Sequence, residues 1–298
     1  MKTELLQDEL ELLNWELIFD SLLWTVQQEN DYDKLYHYYS GTTLRKVLLK
    51  DAIVFRLAKA STFEDKMEGK AVEVYYDLAL SELVHDGLIT TKQYESFSAI
   101  SVPDKLFLSR KTDYGMVAFG NTEYEEYIIC FSTEENDPYM FENYVKNADG
   151  YCLHFSGIDL RELTCKGLSN HAEIKLIPVL YGREVVDYIR EKVLLIASNP
   201  IRSDNCNVYI SALLHYVQYA AKLNKFSKEN EVRLVVFRNK NAGDDNRTES
   251  MVRIKDGNYL LFSVGKELLI NVTPAPYNNA NETKAVMDYL EKNGYPHV

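Results

Sequence analysis

A short stretch that reads as a strand turning directly into a helix, residues 34–50, constrains the fold of this chain most. Its first half, KLYHYYS at Lys34–Ser40, combines aromatic side chains with a following glycine, a pattern typical of a β-strand. Its second half places apolar residues at the spacing of one helix face, with Thr42 or Thr43 as the expected N-cap. The residues of that face are Leu44, Val47 and Leu48. The chain must therefore pack a sheet and a helix against each other here.

His37 lies in the middle of this predicted strand. Because successive side chains of a strand point to opposite faces, His37 should face away from Tyr36 and Tyr38. Two interpretations are open: a hydrogen-bonded histidine of the core, which is the common case, or a ligand-binding residue. A second histidine in an apolar strand-like run, His154, is predicted to belong to the core.

The rest of the chain predicts an α+β protein with mixed or antiparallel sheets flanked by helices. Residues 1–30 form one predicted amphipathic helix, and residues 31–298 form a single domain with a helical insertion. Tyrosine and charged residues dominate residues 100–124, where we expect irregular structure. Strands are predicted at 52–57, 127–132, 151–155, 173–181, 229–237, 251–254, 259–263 and 268–273, and helices at 70–86, 90–100, 183–198, 207–223 and 282–293.

The predicted N-terminal helix has an unusually wide apolar face. Leucines recur along it at positions 6, 10, 13 and 17. One interpretation is that this face packs on the rest of the same chain, since an apolar surface of this width is rarely left in water. The other is that it docks a second copy of the chain or another partner protein.

Composition narrows the function classes. The net charge of −12 disfavours a broad nucleic-acid surface, although a local basic cleft stays allowed. Four cysteines without a C-x-x-C pair indicate reduced thiols rather than disulfides or zinc. The sequence has no signal-type segment and no run of about 18 apolar residues, so we expect a cytoplasmic protein without a membrane span.

Several common catalytic motifs are missing from the sequence. It contains neither G-x-G-x-x-G nor G-x-x-x-x-G-K, which argues against Rossmann and P-loop nucleotide binding. It contains no H-E-x-x-H motif or Cys/His cluster that would predict a metal site. A G-x-S-x-G elbow, the mark of many serine hydrolases, is absent as well.

Three charged residues alternate at the start of the predicted strand 229–237. Glu229, Glu231 and Arg233 should all point to one face of that strand. Two neighbouring carboxylates are costly to bury, so they should line a wet cleft or have partners, and Arg233 can pair with one of them. They form either a salt-bridge ladder on the surface or a pair of acids in a site.

Four segments of this chain resemble, in the same order, an uncharacterised bacterial domain family. That family carries the motifs L-Y-H-Y-T-S, F-N-D-P-F-E-G, C-F-S and W-x-x-E-x-E-x-R. The matching segments here are LYHYYS at 35–40, FEDKMEG at 63–69, CFS at 130–132 and FSKENEVR at 226–233. The second motif departs from the family at Glu64, Lys66 and Met67. The first motif also resembles that of ADP-ribosyltransferases, in which a histidine on the first core strand orients NAD.

The resemblance implies an ADP-ribosyltransferase-like fold with NAD as substrate. A fixed carboxylate would stabilise the oxocarbenium-like ribose formed when nicotinamide leaves. We assign that role to Glu231 and the positioning of the acceptor to Glu229, and the reverse assignment stays open. His37 and Tyr38 would hold the ribose or the nicotinamide. Further predicted contacts around the cleft are Ser40, Arg56, Phe63, Asp65, Glu68, Ser132 and Arg233.

Two hypotheses about function follow. The first is an NAD-dependent ADP-ribosyltransferase, acting as a toxin or antiphage effector on a protein or nucleic acid. The second is a catalytically inactive binding module that keeps the fold. The changed segment 63–69 favours the second hypothesis, whereas His37 and the glutamate pair favour the first.

Overall fold

The computed structural model describes residues 32–62, 68–101, 107–111, 117–121, 124–145, 148–166, 172–198, 203–239, 252–255 and 259–297. The predicted helix of residues 1–30 therefore lies outside the described residues. Contacts divide the chain into two compact units. The sheet unit comprises Asp31–Glu64, Glu123–Ile177 and Ser227–Val298, and the helical unit comprises Asp65–Thr122 and Pro178–Phe226.

The described chain is a mixed α/β protein whose main sheet is antiparallel and flanked by helices. The strands are β1 Lys34–Ser40, β2 Ile53–Lys59, β3 Phe107–Lys111, β4 Val117–Asn121, β5 Tyr124–Ser132, β6 Gly150–Ser156, β7 Ala172–Pro178, β8 Leu180–Tyr181, β9 Ala221–Lys222, β10 Glu231–Asn239, β11 Val252–Lys255, β12 Tyr259–Val264 and β13 Leu269–Pro274. The α-helices are α1 Gly41–Val47, α2 Glu68–His85, α3 Thr91–Ser98, α4 Pro138–Met140, α5 Gly157–Lys166, α6 Arg183–Ser198, α7 Ser203–Ala220 and α8 Ala280–Lys292.

Strand β5 organises the main sheet, whose order is β11-β12-β2-β5-β1-β6-β13; outside this path, β10 pairs with β5 and β7 pairs with β10. Along one edge, β5 pairs with the whole of β10. Along its other edge, β5 pairs with β2 through Tyr127 and Ile128 and with β1 through Ser132. Strands β1 and β2 thus contact different parts of β5. The sheet therefore divides between β1 and β2, near Cys130 of β5.

The strand-to-helix stretch folds as predicted, apart from its cap. Leu44, Val47 and Leu48 are buried in the core of the sheet unit, where α1 also packs against α8. The N-cap is Ser40 rather than Thr42 or Thr43, because Ser40 is extended and its Oγ accepts a hydrogen bond from Thr43 N at 3.4 Å.

Three predicted segments differ from the structure. The strand expected at 229–237 begins only at Glu231, since Glu229 ends a 3₁₀-helix and Asn230 has a φ of 42°. The strand expected at 173–181 is interrupted at Val179, between β7 and β8. The stretch expected to be irregular, residues 100–124, contains the antiparallel pair β3–β4.

The helical unit is built mainly from α2, α6 and α7, which share a core of apolar residues. Helix α3 begins with a capping box between Thr90 and Gln93. Glu82 on α2 forms ion pairs with Arg183 and Arg190 of α6. None of the helices in the described ranges has both the length and the apolar character needed to cross a bilayer.

Candidate functional site

A cavity in the sheet unit lies where β1 and β2 part along β5. Its lining comes from β1, β5, β10, the 3₁₀-helix before β10 and the helical turns that follow β5: Tyr36, His37, Tyr38, Cys130, Phe131, Met140, Tyr144, Glu229 and Glu231. The histidine and both glutamates singled out in the sequence therefore meet around one cavity. Its volume is about 50 Å³, which accommodates a few water molecules. A nucleotide could place only one end in it and would extend through the mouth.

His37 occupies the gap between β1 and β5. Its Nδ1 lies 2.5 Å from the carbonyl oxygen of Cys130. A carbonyl can only accept, so Nδ1 carries the proton and Nε2 keeps the lone pair. Burial lowers the pKa of His37 from 6.5 to about 4, which leaves the ring neutral at pH 7. His37 therefore offers a hydrogen-bond acceptor rather than a positive charge.

The predicted alternation of side chains along β1 is confirmed. The His37 ring contacts the rings of Tyr39 and Phe131, at centroid distances of 4.2 and 5.7 Å. Tyr36 and Tyr38 instead belong to a separate apolar cluster that contains Met140 and Phe141.

Glu231 and Arg233 form a buried ion pair on β10. The Nε of Arg233 lies 2.6 Å from Oε1 of Glu231, and both side chains are almost completely buried. Glu231 stands opposite Ser132 in the sheet, and Ser132 stands opposite Tyr36, so three adjacent strands meet at this level. The prediction that Arg233 pairs with one of the two glutamates is confirmed.

Glu229 reaches the same cavity from a 3₁₀-helix instead of a strand. The prediction that it alternates with Glu231 and Arg233 along one strand is wrong, because the left-handed backbone of Asn230 separates the helix from β10. Glu229 is only 5% exposed, and its carbonyl oxygen accepts a hydrogen bond from Ser132 Oγ at 2.9 Å. The two acids are thus buried in a cavity and are not members of a surface ladder.

Ser132 holds the chain around the acids. Its side chain is fully buried, and its Oγ accepts from Glu134 N at 3.1 Å while donating to Glu229. The hydroxyl therefore connects the end of β5 to the segment that carries Glu229. This contact explains how a serine can matter to the site without lining the cavity.

Two of the cavity tyrosines, Tyr36 and Tyr38, bind the loop after β5 through their hydroxyl groups, whereas the third, Tyr144, is exposed. Tyr38 donates to the Glu134 carbonyl at 2.5 Å and accepts from Asp137 N at 3.0 Å, so its hydroxyl holds the loop after β5. Tyr36 donates to Glu135 at 3.2 Å, and burial raises its pKa to about 12. Tyr144 is 50% exposed, which makes it the most open aromatic ring of the lining. An exposed aromatic side chain of this kind can stack on a planar ligand.

Two other predicted contacts, Ser40 and Arg56, are not among the described residues that line this cavity. Ser40 caps α1, and the guanidinium of Arg56 stacks on Tyr259 at 3.6 Å from the ring centroid. Phe63 and Asp65 lie outside the described residues, as does the side chain of Glu68. His154 is buried, with Nε2 at 3.0 Å from Thr273 Oγ1, which confirms the prediction that it belongs to the core.

Sequence reasoning did not single out Met140 and Tyr144, or Cys130 as a lining residue. Asp137 and Pro138 signal a helix start directly after β5, and they do mark the segment that brings Met140 and Tyr144 to the cavity. Nothing local distinguishes Tyr144 among the 22 tyrosines of the chain. Among the described residues, no group of three or more His, Cys, Asp or Glu side chains is arranged to hold a metal ion.

No family model matches the chain, and neither does any curated protein or any solved structure. What the site can do must follow from its own residues. Two buried carboxylates and a neutral imidazole that line one cavity suit a ligand that develops positive charge and presents hydroxyl groups. An exposed aromatic ring at the same cavity suits a ligand that also has a planar ring.

Proposed function

We propose that this protein is an NAD-dependent ADP-ribosyltransferase that uses the cavity between β1, β5 and β10, with NAD as substrate. One observation carries the proposal: His37 lines the same cavity as Glu229 and Glu231, although it lies far from both in the sequence. These are the residues to which the sequence resemblance assigns the contacts with NAD and with the acceptor. We propose on the same ground that the fold is ADP-ribosyltransferase-like.

In this reaction, the bond between nicotinamide and ribose breaks and its electron pair leaves with nicotinamide, which becomes neutral. The ribose carbon gains cationic character, and Glu231 supplies a fixed negative charge beside it. Arg233 orients that carboxylate through the 2.6 Å hydrogen bond. An acceptor atom then bonds to the ribose carbon, and its proton passes to Glu229.

His37 and Tyr144 would hold the substrate. The neutral imidazole can accept a hydrogen bond from a ribose hydroxyl through Nε2, and it does not repel the cationic ribose. The low pKa of about 4 keeps it in this state across the physiological range. Tyr144 would stack on the nicotinamide ring, while the hydroxyl groups of Tyr36 and Tyr38 keep the loop after β5 in place.

The alternative is a catalytically inactive binding module with an ADP-ribosyltransferase-like fold. The small volume of the cavity and the hydrogen bond between Glu231 and Arg233 favour it. In that case the buried pair stabilises the sheet, and the module recognises its ligand without turnover.

The test compares wild type with Glu231→Gln in three measurements: NAD binding by calorimetry, nicotinamide release by chromatography, and transfer of labelled ADP-ribose to proteins and nucleic acids of a lysate. The substitution keeps the shape of the side chain but removes its charge. Binding should persist, while release and transfer should fall by roughly 10²–10³. Glu291→Gln is the matched control, because Glu291 is exposed on α8. This control should behave as wild type.

The same assay distinguishes the proposed roles of Glu229 and Glu231. Glu229→Gln should abolish transfer to the acceptor but leave slow hydrolysis of NAD, since it spares bond cleavage. A wild-type protein that binds NAD without cleaving it supports the binding module. A wild-type protein that neither binds nor cleaves NAD contradicts the proposed function.

A further inference from the structure

We infer that Asn230 is a positioning residue of the proposed site, and that its left-handed backbone sets the direction from which Glu229 reaches the cavity. The inference rests on the proposed function. Asn230 lies between the two acids of the cavity and contacts the loop after β5. It is not among the residues that line the cavity.

The conformation of Asn230 is unusual for a residue with a side chain. Its φ of 42° falls in the left-handed region, which glycine and asparagine tolerate better than other residues. Here the 3₁₀-helix ends and β10 begins. In a continuous strand, Glu229 would stand about 7 Å from Glu231 along the same strand axis. The turn at Asn230 replaces that arrangement and lets the two acids approach the cavity from different elements.

Three hydrogen bonds hold this turn. The backbone N–H of Asn230 donates to the carbonyl of Ser227 at 3.3 Å, and its own carbonyl accepts from Thr133 N at 2.9 Å. Its side-chain Nδ2 donates to Glu134 Oε1 at 3.1 Å in an exposed position. An exposed hydrogen bond of this kind contributes little to stability. The backbone conformation, rather than the side-chain bond, should therefore decide the placement of Glu229.

A second asparagine provides a matched comparison. Asn136, with a φ of 52°, is the other non-glycine residue of the described chain with a positive φ. It lies in the loop after β5, and its Oδ1 accepts a hydrogen bond from Thr273 Oγ1 at 2.6 Å. Asn136 does not adjoin either acid, so the same substitution there should strain the backbone without moving a carboxylate.

The experiment compares Asn230→Val and Asn230→Gly with Asn136→Val and Asn136→Gly. Valine disfavours the left-handed conformation, whereas glycine allows it and removes the side chain. Asn230→Val should lower kcat for ADP-ribose transfer to the acceptors of the lysate about tenfold or more, with slow hydrolysis of NAD retained and KM for NAD changed less than about threefold. Asn230→Gly should retain kcat within about threefold. Both Asn136 variants should keep kcat, even where Asn136→Val melts at a lower temperature.

Each outcome decides the inference. Normal kcat for Asn230→Val overturns it, and so does equal loss of kcat in the glycine and valine variants, since the side chain would then be responsible. If Asn230→Val does not fold, Asn230→Ala, which also disfavours this conformation, takes its place. If the wild type releases no nicotinamide, the proposed function fails. Crystal structures of wild type and Asn230→Val then test the positioning of Glu229 separately. If the Glu229 carboxylate leaves the cavity in the variant, the inference holds. If the carboxylate stays in the cavity, the inference is overturned.

Discussion

The buried ion pair on β10 allows a sharp test of how the site is held together. The side chains of Arg233 and Glu231 are only 4% and 3% exposed. Arg233→Met keeps much of the side-chain volume but removes the cation beside Glu231. Removing one member of a buried pair leaves an uncompensated charge and typically costs about 3–5 kcal/mol. We therefore expect the free energy of unfolding to fall by about that amount.

A double-mutant cycle measured by urea denaturation isolates the pair. The variants are Arg233→Met, Glu231→Gln and the combination of both. The combined variant should lose less stability than the two single losses together, with a coupling energy of about 1–3 kcal/mol, because it leaves no unpaired charge. The matched control is Arg238→Met, on the same strand. Arg238 is 20% exposed and lies 4.0 Å from Glu125, so its loss should cost less than the loss of Arg233.

Two results would refute this reasoning. If Arg233→Met costs no more than Arg238→Met, the pair does not hold a buried charge. If the two single losses simply add up in the combined variant, Arg233 and Glu231 do not act on each other. In either case Arg233 could not be said to orient the carboxylate.

Two further predictions concern the other walls of the cavity. Because the pKa of His37 is about 4 in the folded protein and near 6.5 when unfolded, the unfolded state binds a proton first as pH falls. The free energy of unfolding, measured by urea denaturation, should therefore drop by up to about 3 kcal/mol between pH 6.5 and pH 4. His37→Gln should remove this part of the drop. If the pH profiles of wild type and His37→Gln run parallel, the prediction is wrong. Tyr144→Ala should raise KM for NAD about tenfold with an unchanged melting temperature, whereas Tyr144→Phe should bind as wild type, since stacking needs the ring. Equal KM values for the alanine and phenylalanine variants would exclude stacking.

Local patterns in the sequence were sufficient to predict most helices and strands. The strand and helix at 34–47 and the helix at 183–198 follow from apolar spacing, which a few neighbouring residues determine. The same patterns placed His154 in the core and paired Arg233 with a glutamate. They were wrong where local chemistry had several equivalent solutions, as in the choice of Ser40 rather than a threonine for the cap of α1.

The cavity depended on tertiary structure, because strands distant in the sequence create it. Only the pairing of β5 with β10, β2 and β1 opens a gap at Cys130 and brings His37 to the same cavity as the two acids. The same pairing leaves Arg56 outside the cavity lining. The turn at Asn230 and the selection of Tyr144 among 22 tyrosines likewise depend on contacts between distant segments. Residue types and spacing predict which side chains could react, and the order of the strands decides which of them meet.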